Sequence, residues 1–200
     1  MDKKYQTKWI ITCMAIFLTA ALLSTPCLAA EFTADVTTKA GGQVMHGKIF
    51  VKGHSYRQEM NAMGQKQVMI FNGDKKTGWI VMPAAHMYMP LPKYGPGNAA
   101  QTDPEELEKK ATKKYLGKEK MNGYKCKKYR FIYKDSSGTK MTQWISTRLK
   151  YPVKMIIEGP QGRMEREIKN IKETKLSNSL FKVPAGYQKM NMPGMSGMNQ

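Results

Sequence analysis

From Glu31 onward, short segments rich in β-branched and aromatic residues alternate with Gly, Asn, Asp and Pro, the pattern of an antiparallel β-meander. The spacing predicts eleven strands, over residues 31–39, 43–52, 54–62, 65–73, 77–83, 86–91, 115–121, 123–134, 138–147, 152–159 and 162–173. The connections are turn-like, among them Gly41-Gly42, Asn72-Gly73-Asp74 and Asn122-Gly123. Asn122-Gly123 is the strongest hairpin signal, because both residues tolerate positive φ. One stretch breaks the pattern. Leu91 to Asn98 reads as a loop, and Asp103-Pro104-Glu105-Glu106 opens a helix running to about Tyr115, with Asp103 as cap and Pro104 in the first turn. A short helical turn is expected at Ser177–Phe181, and the chain after Gly186 reads as unstructured.

The faces of these strands carry the next inference. Phe32, Ala34 and Val36 alternate with polar residues, as do Tyr129, Phe131 and Tyr133, which fits a sheet with one wet side. Residues 68–71, 79–82 and 155–157 are apolar without interruption, so both faces of the central strands lie out of water. A single helix cannot cover two faces of eleven strands. Two architectures meet the pattern equally: a strongly curved antiparallel sheet around an apolar cavity, partly lidded by the helix, or a closed and filled barrel.

The N-terminus changes the setting. Lys3, Lys4 and Lys8 precede an apolar run from Trp9 to Leu23, and small residues lead to Ala29-Ala30. That is the signature of a secretory signal peptide, and a run of about fifteen residues is short for a span needing roughly 20. Residues 1–30 are therefore read as a signal cleaved near Ala29 or Ala30, 31–189 as one domain, and 190–200 as a disordered Met-rich tail. Export to the periplasm follows. Cys13 and Cys27 leave with the signal, so Cys126 remains alone and no internal disulfide forms. The chain carries 33 Lys and Arg against 15 Asp and Glu; cleavage removes three positive charges and one negative, lowering +18 to +16. Nucleic acid, the reflex partner of such a charge, lies in the wrong compartment. Anionic membrane surfaces become the better partner.

Several segments, in order along the chain, resemble the LolA/LolB superfamily of periplasmic lipoprotein carriers and the LolA-like outer-membrane lipoprotein-sorting proteins. Gly47-Lys48-Ile49-Phe50-Val51-Lys52 is similar to that family's second strand. Residues 67–83, with Asp74-Lys75 in the turn and Trp79 before Pro83, resemble its Trp-containing hairpin. Tyr151-Pro152-Val153 and Leu180-Phe181-Lys182-Val183-Pro184-Ala185-Gly186 resemble its closing motifs. The resemblance implies a mainly β, unclosed half barrel of about eleven strands, with a helical lid over a cavity that shields acyl chains. Two departures stand out: strand-like sequence begins at once at Glu31, and Gly53 follows Val51-Lys52 where the carrier has a basic residue.

On this basis Tyr56, Met60, Met69, Phe71, Trp79, Val81, Met87, Met89, Phe131, Trp144 and Met155 are candidate cavity residues, some of which must face outward. Methionine suits such a lining because its unbranched, polarisable side chain adapts to varied guests. A basic docking surface is read at Lys109, Lys110, Lys113, Lys114, Lys118, Lys125, Lys127, Lys128 and Arg130. The alternative use of methionine is in the tail, where Met190, Met192, Met195 and Met198 offer thioethers to Cu(I) or Ag(I). His46, His54 and His86 show no zinc spacing, and no nucleophile elbow, phosphate loop or dinucleotide fingerprint is present. The sequence thus points to an exported, monomeric, non-enzymatic carrier or sensor without a cofactor. It would bind acyl chains of lipoproteins or lipids and work with an anionic membrane and an envelope protein partner. The competing reading is a periplasmic soft-metal binder.

Overall fold

A computed structural model describes residues 30–62, 64–91 and 104–190. Twelve strands form one sheet: β1 (Glu31–Ala40), β2 (Gln43–Lys52), β3 (Ser55–Ala62), β4 (Gln65–Asn72), β5 (Thr77–Met82), β6 (Met87–Pro90), β7 (Ala111–Met121), β8 (Tyr124–Tyr133), β9 (Lys140–Ser146), β10 (Pro152–Gly159), β11 (Gly162–Glu173) and β12 (Gln188–Lys189). Their order is β12-β6-β5-β4-β3-β2-β1-β11-β10-β9-β8-β7, so β7 and β12 are free edges and the sheet stays open. All pairings are antiparallel except β12 with β6. This is the expected mainly β, unclosed half barrel, and the closed, filled barrel is excluded.

The eleven expected strands are present, with Asn122 at φ 48° and Gly123 at φ 86° in the hairpin turn. Most strand bounds agree to within two residues, and three differences are larger or change an assignment. The helix, α1, covers only Pro104–Lys110, and β7 begins at Ala111 rather than 115. Continuing the helix would place Lys109 beside Lys113 and Lys110 beside Lys114 at i,i+4, a repulsive arrangement. As a strand the same residues gain a ladder from Ala111↔Tyr133 onward, and Lys113 Nζ reaches Glu108 at 2.7 Å. His86 belongs to a left-handed cap after a 3-10 turn, not to the strand. The segment beyond Gly186 is not structureless, since Gln188 N–H donates to His86 O and Met190 N–H to Tyr88 O, covering the edge of β6.

Register assigns the faces. Phe32, Ala34 and Val36 of β1 stand level with Val51, Ile49 and Gly47 of β2, and with Tyr56, Gln58 and Met60 of β3. The same face continues through Ile168 and Arg166 of β11, Met155 of β10 and Met141 of β9 to Phe131 of β8. This face is concave. Arg166 Nη2 donates to Gln58 Oε1 at 3.2 Å although β1 and β2 separate their strands, a flat-sheet span of about 14 Å. Phe32, Ile49, Val51 and Val153 are fully buried here, each contributing about 1.5–3 kcal/mol of burial. Tyr151 closes on Phe32 edge to face, with centroids 5.4 Å apart. At the β7 end, α1 inserts Leu107 against Ala111, Phe131, Met141 and Met155.

The convex face has its own cover. Leu176, Leu180, Phe181, Val183 and Tyr187 pack on Phe50, Val68, Ile70, Trp79, Val81 and Tyr88. Lys52 Nζ donates to Leu176 O at 2.7 Å and Arg57 Nη1 to Leu180 O at 3.3 Å, while the Glu31 carboxylate accepts the Leu176 N–H. Ser177 Oγ caps the 3-10 turn Asn178–Phe181. The uninterrupted apolar runs of β4 and β5 follow: one set of residues meets this C-terminal strap and the other faces the concavity.

Candidate functional site

Of the eleven candidate cavity residues, eight lie on the concave face and three do not. Trp79 and Val81 point into the convex cluster under Phe181. Trp144 shares the other face with Lys128 and Lys154, whose ammonium groups lie 4.7 and 5.8 Å from its ring. Phe131 and Met155 are concave but buried beneath α1. Tyr56, Met60, Met69, Phe71, Met87 and Met89 come together, and register adds Ile80, Met82 and Leu91, which the sequence reading missed although strand alternation carries them.

These nine residues form transverse rows across β3 to β6. One row runs Gln58, Met69, Ile80, Met89; a second runs Tyr56, Phe71, Gly78 and on to Leu91, whose N–H donates to Gly78 O at 2.9 Å. Met82 faces Met87 in a third. A side chain at Gly78 would approach the Leu91 side chain to 3.2 Å, so glycine keeps the second row flat. Tyr56 is fully buried, stacks on Phe71 with centroids 5.6 Å apart and donates its hydroxyl to Met69 Sδ at 3.3 Å. Burial pushes its phenol well above the ordinary value, so it remains a neutral donor. The other eight are only half-buried. The concave face therefore has a filled half, over β1 and β8 to β11, and an apolar wall of accessible side chains over β3 to β6. Clefts of about 430 and 460 Å3 lie elsewhere, at the β8 turn and beside β1 and β11, and neither touches this wall.

The basic residues do not make a single flat surface. Alternation sends Lys114, Lys128 and Arg130 to the convex side and Lys113, Lys125 and Lys127 to the concave side. They gather instead on the edge hairpin β7–β8, with Lys109 and Lys110 on the adjoining helix end. Lys118 stands directly opposite Lys127, Lys120 opposite Lys125, and Lys114 opposite Arg130, an arrangement of like charges that costs stability. Others of the set are engaged: Lys113 lies 5.0 Å from the Tyr129 centroid, and Lys128 binds Glu119 at 2.7 Å. The same hairpin exposes Tyr115, Leu116 and Ile132.

The cysteine and the histidines lie in separate surroundings. Cys126 is 1% exposed, and burial raises its thiol pKa, so the lysines nearby in sequence do not yield a thiolate. His46 bonds Thr37 at 3.3 Å, and His86 packs on Tyr187 with centroids 5.3 Å apart. Among the described residues, no group of three or more His, Cys, Asp or Glu could hold a metal. Met192, Met195 and Met198, like the signal segment, lie outside the described residues, and Met190 serves the β6 edge through its backbone. The soft-metal reading gains no support.

A family model described as a domain of unknown function, DUF4412, matches residues 33–151 and 134–187. No curated protein sequence matches the chain. Among solved structures, an uncharacterized conserved protein from Thermus thermophilus superposes with a TM-score of 0.58 at 12% identity, over 82% of this chain and 91% of that one. A chain of the Pseudomonas aeruginosa MucA/MucB complex gives 0.55 at 11% identity, over 83% of this chain and 60% of that one, so the domain spans about three fifths of its length. A LolA superfamily protein from Nitrosomonas europaea aligns over 81% of this chain and 98% of its own, with a TM-score of 0.43 and 12% identity. At these identities the first two likenesses establish a shared fold.

Proposed function

The chain belongs to the DUF4412 family, and from that membership and the geometry of its concave face we propose that it is an exported, non-enzymatic carrier or sensor. It binds acyl chains of lipids or lipoproteins on the wall formed by β3 to β6. One observation carries this reading: eight apolar side chains, five of them the methionines Met60, Met69, Met82, Met87 and Met89, stay half-exposed in the hollow of an open sheet whose other half is filled. A stable domain leaves such a patch uncovered where a ligand or partner completes it. Thioethers adapt to chains of differing length and saturation.

The β7–β8 hairpin supplies the membrane contact. Its lysines, set against exposed Tyr115, Leu116 and Ile132, combine attraction to anionic head groups with apolar groups for the interface. Each such cation is worth about 1 kcal/mol near an anionic membrane. The signal-like N-terminus supports export to the periplasm, where the protein works as a monomer beside an envelope membrane. The MucA/MucB complex is a case of this fold meeting a protein partner. Native mass spectrometry of the protein purified from its own envelope tests the reading. Mass increments that fragment to acyl-bearing lipids are expected; a ligand-free protein that also ignores fluorescent fatty-acid probes would overturn it.

A further inference from the structure

The row Gln58, Met69, Ile80, Met89 ends on a charged group that the acyl-binding reading does not use. Arg166 is 7% exposed, on the concave face, among Thr38, Met155 and Gln58. A guanidinium has five donors and is always ionised, and here one donor meets the neutral amide oxygen of Gln58 at 3.2 Å. Among the described residues no carboxylate pairs with it. Its neighbours Glu165 and Glu167 alternate to the convex face, where Glu165 holds Lys154 at 2.7 Å and Arg163 at 2.9 Å, and Glu167 holds Lys169. A buried cation without a counter-ion is costly and is retained where an anion arrives to pair with it.

A second, independent group points to the same place. Among the described residues the buried Tyr151 hydroxyl meets no hydrogen-bond partner. Tyr151 packs on Phe32 and shares one buried cluster with Tyr56, which neighbours Gln58 on the concave face of β3. Tyr56 in turn bonds Met69 of the apolar wall.

We propose that Arg166, with Gln58 and Tyr151, is the recognition site for the head group of a fatty carboxylate whose chain lies along the wall of Met69, Ile80 and Met89. The proposal rests on the acyl-binding reading and makes it specific. A carboxylate carries one negative charge and two acceptor oxygens, which balances one guanidinium and takes two parallel N–H donors. From Gln58 to Met89 the row crosses three inter-strand spacings, about 14 Å of continuous apolar surface for the chain.

The test titrates the full chain with hexadecanoate, with the uncharged 1-hexadecanol, and with acetate, against the wild type, Arg166→Met and Tyr151→Phe. The wild type should bind the acid at least tenfold more tightly than the alcohol. Arg166→Met should melt no lower than the wild type and bind both with equal, alcohol-like affinity. Tyr151→Phe should weaken the acid several-fold and leave the alcohol unchanged. Acid and alcohol bound equally by the wild type would overturn the carboxylate site while leaving acyl binding intact. Neither bound would defeat the acyl-binding reading itself. Acetate bound as tightly as hexadecanoate would show an anion site without the wall, and would also overturn the proposal.

Discussion

Replacing Lys118 and Lys120 together by Glu should make the protein more stable and worse at membrane contact. In the β7–β8 hairpin these residues stand directly opposite Lys127 and Lys125, and all four are exposed. Opposed side chains on an antiparallel pair have Cβ atoms about 5 Å apart, inside the roughly 8 Å screening length at physiological salt. Each like-charge pair costs a few tenths to about 1 kcal/mol, and reversal converts the cost into a gain of similar size. Two pairs, each losing a cost and adding a gain, sum to about 1–4 kcal/mol, an increase in Tm of roughly 2–16 °C for a domain of this size. Membrane contact moves the other way. The double variant changes the hairpin by four charge units, about 4 kcal/mol at about 1 kcal/mol per cation, or roughly a thousandfold in affinity. Calorimetric melting gives the first quantity, and co-sedimentation with vesicles of phosphatidylglycerol and phosphatidylethanolamine gives the second, at low and high salt. A lower Tm would refute the register-based repulsion; unchanged vesicle binding would refute the assignment of the hairpin to the membrane.

Three other outcomes follow from the structure. Met155→Ala, in the filled half, should cost about 2–5 kcal/mol in chemical denaturation, whereas Met89→Ala on the half-exposed wall should cost far less and weaken fatty-acid probe binding instead. Phe181→Ala should cost about 3–5 kcal/mol by loosening the C-terminal strap from Val68, Ile70 and Val81, with hydrogen exchange rising first over Leu176–Tyr187. Glu165 titrates below its ordinary value of 4.5, chiefly through the hydrogen bond from Lys154. Its folded-state pKa is depressed, so the stabilisation is present above pH 4.5 and is lost as pH falls through the lowered value. Glu165→Gln should therefore lower the melting temperature at neutral pH and flatten the acid limb of the stability-versus-pH curve, the two proteins converging at low pH.

How much of this could be read in the chain depends on whether the signal is local. The strands were legible because turn chemistry is local: Asn122-Gly123 and Gly41-Gly42 each set their own hairpin through φ values that favour those residues. The helix start was legible for the same reason. Its end was not, because what competes with the helix is a ladder to Tyr124–Tyr133, which the segment itself does not contain. In β5 every residue from Trp79 to Met82 is apolar, so alternation alone cannot say that Trp79 and Val81 meet the strap while Ile80 and Met82 meet the concavity. Only the register with β4 and β6 decides. The C-terminal motif around Phe181 was visible as sequence, but its place over the convex face depends on partners more than 100 residues away. Arg166 was the least legible. In the run Arg163-Met164-Glu165-Arg166-Glu167 a charged residue reads as solvent-facing, and its burial emerges only when β3 is brought across from β11 by curvature.

The central claim is that the wall of β3 to β6, on the concave side, is where an acyl chain lies. Photo-crosslinking of the full-length protein with a diazirine-bearing fatty acid, followed by peptide mapping, tests it most directly. The account predicts adducts on Met60, Met69, Met87 and Met89, and none on Trp79 or Val81 of the neighbouring face. Labelling confined to the convex residues, or spread evenly over both faces, would contradict it.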